Sequence, residues 1–168
     1  MLIAVISDTH DHLGNLDRAM AQILERSPAL CFHCGDLCSP FVVEHLAQFH
    51  GPMHVVFGNN EGDRYTIRTV VDGFPNITLH GEMGFVKTGH VEIAFTHRPE
   101  FARGLASTGR YRAVFYGHTH RRKTETVNGT WLVNPGELMG LFESPGWLLF
   151  DLADGSGRHF TVKGEQDS

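Results

Sequence analysis

Leu2-Ile3-Ala4-Val5-Ile6 is an unbroken apolar run that stops at a cluster of polar groups, Ser7-Asp8-Thr9-His10-Asp11-His12. A continuous β-prone run of this length suits a strand covered on both faces. The pattern returns twice: Leu30–Cys34 stops at Gly35-Asp36, and Met53–Phe57 stops at Gly58-Asn59-Asn60-Glu61-Gly62-Asp63. After the first run, Leu13, Leu16, Met20, Ile23 and Leu24 recur at helical spacing. Ser39-Pro40 marks a second helix start, with Ser as N-cap and Pro in the first turn, running through Val42, Val43, Leu46 and Ala47. Strand, polar loop and helix in repeated succession call for a parallel sheet. Such a sheet gathers its ligands beyond the carboxyl ends of its strands.

The character changes after residue 75. Phe85-Val86-Lys87 and Val91–Phe95 flank Thr88-Gly89-His90, a hairpin signal, and the second of these runs leads into Thr96-His97. A helix is expected over residues 99–109, followed by a strand from Arg112 to Tyr116. Asn128-Gly129 between Lys123–Val127 and Thr130–Val133 predicts a tight type I′ hairpin. Trp147–Asp151 and His159–Val162 form a last strand pair around Asp154-Gly155-Ser156-Gly157. The second half thus reads as strands with few helices, and the whole as one domain over 1–168 with two packed sheets flanked by helices. No repeat, linker or low-complexity segment interrupts it.

At 168 residues the chain can bury a sizeable core. Its formal charge of −5 argues against a broad grip on nucleic-acid backbones, though not against a small nucleotide. The amino terminus has no basic stretch and no small-residue cleavage site, and no apolar run reaches the ~18 residues of a membrane span. A cytoplasmic location and no membrane partner are therefore expected, and a homo-oligomer is left open. Cys31-x-x-Cys34 has no second pair to complete a zinc site, so Cys31, Cys34 and Cys38 read as structural thiols.

The strand ends carry the chemistry. Ala113-Val114-Phe115 runs into Tyr116-Gly117-His118-Thr119-His120, so two imidazoles one residue apart can serve neighbouring ions. Asp8 and His10 alternate on an extended loop and can reach one ion together. Asp36 has two oxygens with which to bridge, Asn59 has a carbonyl oxygen, and His97 has a ring nitrogen. Mixed nitrogen and oxygen donors without thiolate suit manganese, iron, zinc, nickel or cobalt better than magnesium or calcium. Two such ions ~3.5–4 Å apart can activate a water and clamp an in-line displacement at phosphorus.

Asp8-x-His10, Gly35-Asp36, Gly58-Asn59, His97 and Gly117-His118-x-His120, in this order at successive strand ends, resemble the calcineurin-like metallophosphoesterases. Ser-Asp-Thr-His-Asp-His, His-Cys-Gly-Asp, Gly-Asn-Asn-Glu-Gly and Asn-Pro-Gly-Glu are similar to its small single-domain phosphodiesterase branch. The resemblance spans nearly the whole chain and implies a four-layer α/β/β/α sandwich of two mixed sheets. It implies that Asp8, His10 and His120 hold a first divalent transition-metal ion and Asn59, His97 and His118 a second, with Asp36 bridging. Manganese is the first expectation, with nickel, iron, zinc or cobalt as substitutes. The reaction implied is attack of a bridging hydroxide on a small phosphate ester, with Asp36, Asn59 and His97 as the catalytic set. A catalytically weak, protein-binding scaffold of the same fold is the alternative. That reading expects broken ligands at the first-motif His or the Asn, and here His10 and Asn59 are both present.

Two departures from the family pattern stand out. Asn60 occupies the place where many members carry a His near the leaving group, and an amide is a poor proton donor. The family's His-Gly-His becomes His97-Arg98-Pro99. Asn59, Asn60 and Arg98 form the expected substrate-binding set, Arg98 being either a guanidinium that holds phosphate through two hydrogen bonds or a solvated surface residue. Asn134-Pro135-Gly136-Glu137 is either a turn or a site-lining segment. His12 and His33 are candidates for supporting the site, whereas His45, His50, His54, His80, His90 and His159 read as surface or structural. Phe41, Phe74, Phe142 and Trp147 read as core or rim, an exposed pair being able to stack a nucleobase.

Overall fold

The computed structural model describes residues 1–162. The first half alternates β1 (Leu2–Ile6), α1 (Leu13–Arg26), β2 (Leu30–His33), α2 (Val42–Leu46), β3 (Met53–Val55), α3 (Arg64–Val71) and β4 (Ile77–Leu79). The second half runs β5 (Met83–Thr88), β6 (Val91–Thr96), α4 (Pro99–Ser107), β7 (Ala113–Phe115), β8 (Lys123–Val127), β9 (Thr130–Asn134), β10 (Gly146–Asp151) and β11 (Gly157–Thr161). One sheet has the order β11-β10-β1-β2-β3-β4 and the other β5-β6-β7-β9-β8. Strands β1 to β4 are parallel, with Ile3 opposite Leu30 and Cys31 opposite Met53, whereas β10 and β11 join antiparallel. In the second sheet β6, β7 and β9 are parallel and each outer strand is antiparallel. Both sheets are mixed, as the family resemblance implies.

Three apolar interfaces stack into four layers. On β1, Ala4 and Ile6 face Leu16, Met20 and Ile23 of α1, while Ile3 and Val5 face Phe95, Phe115 and Phe150 between the sheets. Both faces of β1 are covered, so its apolar run is continuous rather than alternating. Beyond the second sheet, Ala94, Val114 and Leu132 pack on Ala102 and Ala106 of α4. Each fully buried Ile, Leu, Val or Phe contributes roughly 1.5–3 kcal/mol relative to exposure. Among the described residues no helix is long and apolar enough to cross a membrane.

Several local expectations are corrected. Helix α2 begins at Val42 rather than Ser39-Pro40, because the Ser39 hydroxyl donates to Asp11 (2.7 Å) and does not cap. Strand β3 ends at Val55 rather than Phe57, whose N–H donates to Gly81 (2.7 Å) as the chain turns toward the site. Strand β4 had no sequence signal, since three residues are too few to show a period. Helix α4 stops at Ser107, where Thr108 turns its hydroxyl back onto Leu105 (2.7 Å). Strand β11 begins at Gly157, two residues before the expected start. The single-domain reading to residue 168 includes 163–168, which lie outside the described residues. The three thiols are free, with Cys31 and Cys34 buried as expected.

His54 and His80 close one edge of the layer between the sheets. His54 Nδ1 lies 3.0 Å from His80 Nε2, His54 stacks on Phe32, and His80 meets Phe95 edge-on. Burial pushes His54 down to about 4 and lowers His80 as well. The unfolded chain takes up protons below its ordinary pKa of about 6.5, while the folded pair resists them. The pair's contribution is therefore complete above pH 6.5 and is lost as pH falls from there toward 4. Chemical denaturation at pH 7 and pH 5 should show the His54→Phe variant less acid-sensitive than wild type, by at most about 1.4 kcal/mol per pH unit. Equal acid sensitivity in the two proteins would exclude this pair as a source.

Candidate metal centre

The parallel strands of both sheets deliver their carboxyl ends to one rim. Five loops meet there: Ser7–His10 after β1, Cys34–Asp36 after β2, Gly58–Asn60 after β3, His97 after β6 and Gly117–His120 after β7. Backbone hydrogen bonds lace them together, Asp8 N to Gly35 O (3.0 Å), His10 N to Asp36 O (3.0 Å) and Gly117 N to His97 O (3.1 Å). Two glycines permit the approach. A Cβ on Gly58 would collide with Asp36 Oδ1, and one on Gly117 would collide with Ser7 Oγ. Asp8, His10, Asp36, His118 and His120 all adopt left-handed backbone, with φ of 52°, 41°, 58°, 69° and 57°. Such conformations cost roughly 1–3 kcal/mol each and persist where surrounding structure enforces them, typically at functional sites.

The structure brings Asp8, His10, Asp36 and His120 into one cluster, each offering an atom within 4.8 Å of every other. His120 Nδ1 donates to Glu137 Oε2 at 2.6 Å, which leaves its Nε2 lone pair 3.3 Å from Asp8 Oδ1. His10 Nε2 lies 3.4 Å from Asp36 Oδ2 and 4.0 Å from Asp8 Oδ1, yet it is buried without a hydrogen-bond partner. A buried nitrogen left unsatisfied beside two carboxylates and a second imidazole calls for a cation, since packing alone gives it no partner. The donor set fits a transition-metal ion.

A second group adjoins the first through Asp36. His97 Nδ1 donates to Cys34 O (2.9 Å), and its Nε2 lies 3.3 Å from Asp36 Oδ2 and 3.0 Å from Asn59 Oδ1. The His118 ring stands edge-on to His97, with centroids 5.1 Å apart. The His118 backbone N–H donates to the Asp8 carboxylate at 3.2 Å. His118 lies outside the four-residue cluster, as does His97, which is consistent with a separate position for this group.

The carboxylates differ in charge preference. Burial raises Asp8 to about 6 against the pull of His97 and His120. Burial also opposes ionisation of Asp36, but His97 and both donors of Asn60 outweigh it and hold Asp36 well below the usual carboxylate range. His10 is lowered chiefly by burial. Burial acts downward on His97 too, but its bond to Asp36 and the charges of Asp8 and Asp36 leave it raised. His118 is lowered by burial and by the charges of His97 and Arg98.

Asn60, expected to bind substrate, also hydrogen-bonds Asp36. Its backbone N–H donates to Asp36 Oδ1 and its amide to Asp36 Oδ2, both at 2.8 Å. Arg98 is half-buried beside His118 and has no ion pair or side-chain hydrogen bond among the described residues. Three further groups support the site. Glu61 accepts from Asp36 N (2.8 Å), Leu37 N (3.3 Å) and Gly58 N (2.8 Å), tying two loops together. Glu137, buried, fixes the His120 ring and accepts from Phe142 N and Glu143 N, so the Asn134–Glu137 segment does line the site. Cys38 Sγ lies 3.5 Å from His10 Nδ1, a contact that its spacing from the other thiols gave no reason to expect.

The other candidates divide. His33 supports the site: its Nδ1 accepts from Gly35 N (3.2 Å), its Nε2 meets Thr9 Oγ1 (3.1 Å), and the Thr9 hydroxyl donates to Asp36 O (3.2 Å). Complete burial keeps this imidazole neutral, pushed down to about 3. His12 instead caps α1, accepting from Asn15 N. Trp147 is core, while Phe41 and Phe142 are exposed.

The description of the matching family model is calcineurin-like phosphoesterase superfamily domain, and it covers residues 1–155. Phosphodiesterase MJ0936 of Methanocaldococcus jannaschii is 31% identical over 149 residues, which span 83% of this chain and 86% of that protein. A solved archaeal phosphodiesterase superposes with a TM-score of 0.88 at 27% identity, over 96% of this chain and 99% of the other. The zinc complex of Vps29 from Entamoeba histolytica shares the fold, with a TM-score of 0.64 at 20% identity over 97% and 100% of the two chains. With the five strand-end loops converging as that family requires, the chain belongs to the calcineurin-like phosphoesterase superfamily.

Proposed function

We propose that this protein is a metal-dependent phosphodiesterase that hydrolyses small phosphate esters at a dinuclear centre, with manganese as the first candidate ion. One observation carries the reading. Asp36 Oδ2 sits 3.4 Å from His10 Nε2 and 3.3 Å from His97 Nε2, so a single carboxylate oxygen serves two imidazole-bearing groups. Asp8, His10 and His120 would hold one ion, Asn59, His97 and His118 the other, and Asp36 both. Bound as a pair, the ions would lower the pKa of a water between them and offset charge on the phosphoryl oxygens.

The remaining roles follow from what each side chain has free. Hydrolysis forms a bond from the water oxygen to phosphorus, breaks the ester P–O bond, and leaves a proton for the departing oxygen. The Asn59 carbonyl faces His97, which leaves its NH₂ group to donate to a phosphoryl oxygen. Arg98, with no ion pair among the described residues, can take phosphate through two N–H donors. Asn60 is committed to Asp36 and as an amide has no acidic proton to give the leaving oxygen. Esters with good leaving groups, such as bis-p-nitrophenyl phosphate, should therefore turn over more readily than alkyl monoesters. The scaffold alternative expects a broken ligand at His10 or Asn59, and both residues are present in the sequence.

Metal analysis of gently purified protein should find about two transition-metal equivalents per chain, and bis-p-nitrophenyl phosphate hydrolysis should depend on them. The Asp36→Asn variant should retain less metal and lose more than about 100-fold in turnover, beyond the 10–100-fold that removal of an outer hydrogen-bond partner costs. Wild-type stoichiometry and turnover in that variant would sink the shared-carboxylate reading. No metal uptake by folded wild-type protein would shift the assignment to a scaffold.

Glu137→Gln keeps the side-chain shape while removing the charge that orients His120. Metal affinity measured by competition with a chromogenic chelator should fall about 10–100-fold. An unchanged affinity would confine Glu137 to loop packing.

A further inference from the structure

Phe142 meets His120 and Arg121 while leaving much of its side chain in solvent. It is 56% exposed, follows the 61% exposed Leu141, and stands perpendicular to the His120 ring with centroids 5.3 Å apart. The loop that presents it is not loosely attached. Phe142 N and Glu143 N both donate to Glu137 Oε1, at 2.5 and 2.8 Å, and the other oxygen of Glu137 takes the His120 proton. One buried carboxylate therefore sets the aromatic ring and the ligand histidine in a fixed relation. The Arg121 guanidinium lies over the Phe142 ring, 5.8 Å from its centroid, and 3.9 Å from Glu143. The guanidinium lies over the aromatic ring, and at the rim of a phosphate site such an Arg–Phe stack leaves an outer flat face on which a planar base can stack.

We propose that Phe142 and Arg121 form a stacking platform that selects phosphodiesters bearing a nucleoside over those bearing small alkyl groups. The inference rests on the phosphoester reading of the metal centre and names its substrate class. A phosphate on an ion held by Asp8, His10 and His120 would place its substituent near Phe142, the aromatic neighbour of His120. Stacking accepts any base, because every base has a π-face. The net charge of −5 opposes binding along a polyanionic strand, which points to a mononucleotide ester rather than a polymer.

The test compares p-nitrophenyl thymidine 5′-phosphate with p-nitrophenyl methyl phosphate, which share a leaving group and differ in carrying a nucleoside or a methyl group. The ratio of their kcat/KM values is measured in wild type, Phe142→Leu and Phe142→Tyr. In parallel, calorimetric titration of thymidine 5′-phosphate and of methyl phosphate into the manganese-loaded proteins reads the same preference without turnover. Wild type should favour the thymidine compound by about tenfold in both measurements, the range of one stacked base. A leucine side chain is apolar but cannot stack, so Phe142→Leu should bring the ratio down by about tenfold, whereas Phe142→Tyr should keep it. Turnover without any Phe142-dependent preference would overturn the platform and leave the diesterase reading intact. A Phe142-dependent binding preference without turnover would keep the platform and overturn the diesterase reading. A preference that persists in Phe142→Leu would move base recognition elsewhere and also overturn the platform.

Discussion

The buried carboxylate of Asp36 is the point on which the rest of the rim depends. Its Oδ2 addresses imidazoles from two different sheets, His10 from the first and His97 from the second. A charge so nearly sealed from water survives only with donors around it, and Asn60 supplies two, one to each oxygen. Its own backbone N–H is in turn held by Glu61, which also binds Gly58 N and so locks the loop after β3 to the loop after β2. Gly58 must be a glycine because Asp36 occupies the space a Cβ would fill. The carboxylate thus dictates the loop sequence around it as much as the loops position the carboxylate.

The two-sheet architecture explains why the candidate ligands come from so many places. Parallel strands send their carboxyl ends to one side of each sheet, and packing the sheets face to face brings both sets to a common edge. The apolar layer between them, with Phe32, Phe95, Phe115 and Phe150 at its heart, fixes the separation and hence the spacing of the ligand groups. Left-handed backbone at Asp8, His10, Asp36, His118 and His120 is the local consequence. Side chains that would otherwise follow their strands are turned inward to converge, at an energetic cost borne by the packed layers below.

Around this inner set lies a ring of groups that orient rather than bind. Glu137 selects the tautomer of His120, Cys34 through its carbonyl that of His97, and His33 with Thr9 steadies the main chain at Asp36. The departure at Asn60 also gains a physical account. Where a family member with His at that place could hold a proton near the leaving group, this chain uses an amide to hold Asp36. An amide there has no acidic proton to give, which is the ground for the proposed preference for esters whose leaving oxygen needs little help.

Much of this was determined by the sequence alone. Continuous apolar runs ending in Asp8-x-His10, Gly35-Asp36 and Gly58-Asn59 specify parallel strands with polar carboxyl ends, because only a strand covered on both faces tolerates such runs. The Asn128-Gly129 hairpin and helix α1 were equally legible, being set by local turn chemistry and a 3.6-residue period. What only the tertiary structure decided are relations between segments far apart in the chain. Glu137 meets His120 across 17 residues, Glu61 meets Asp36 across 25, and Ser39 abandons its cap for Asp11 across 28. Sequence spacing reports which residues share a face of one element. It carries no information on which free carboxylate or amide another loop will bring within hydrogen-bond reach, because that depends on the packing of whole layers.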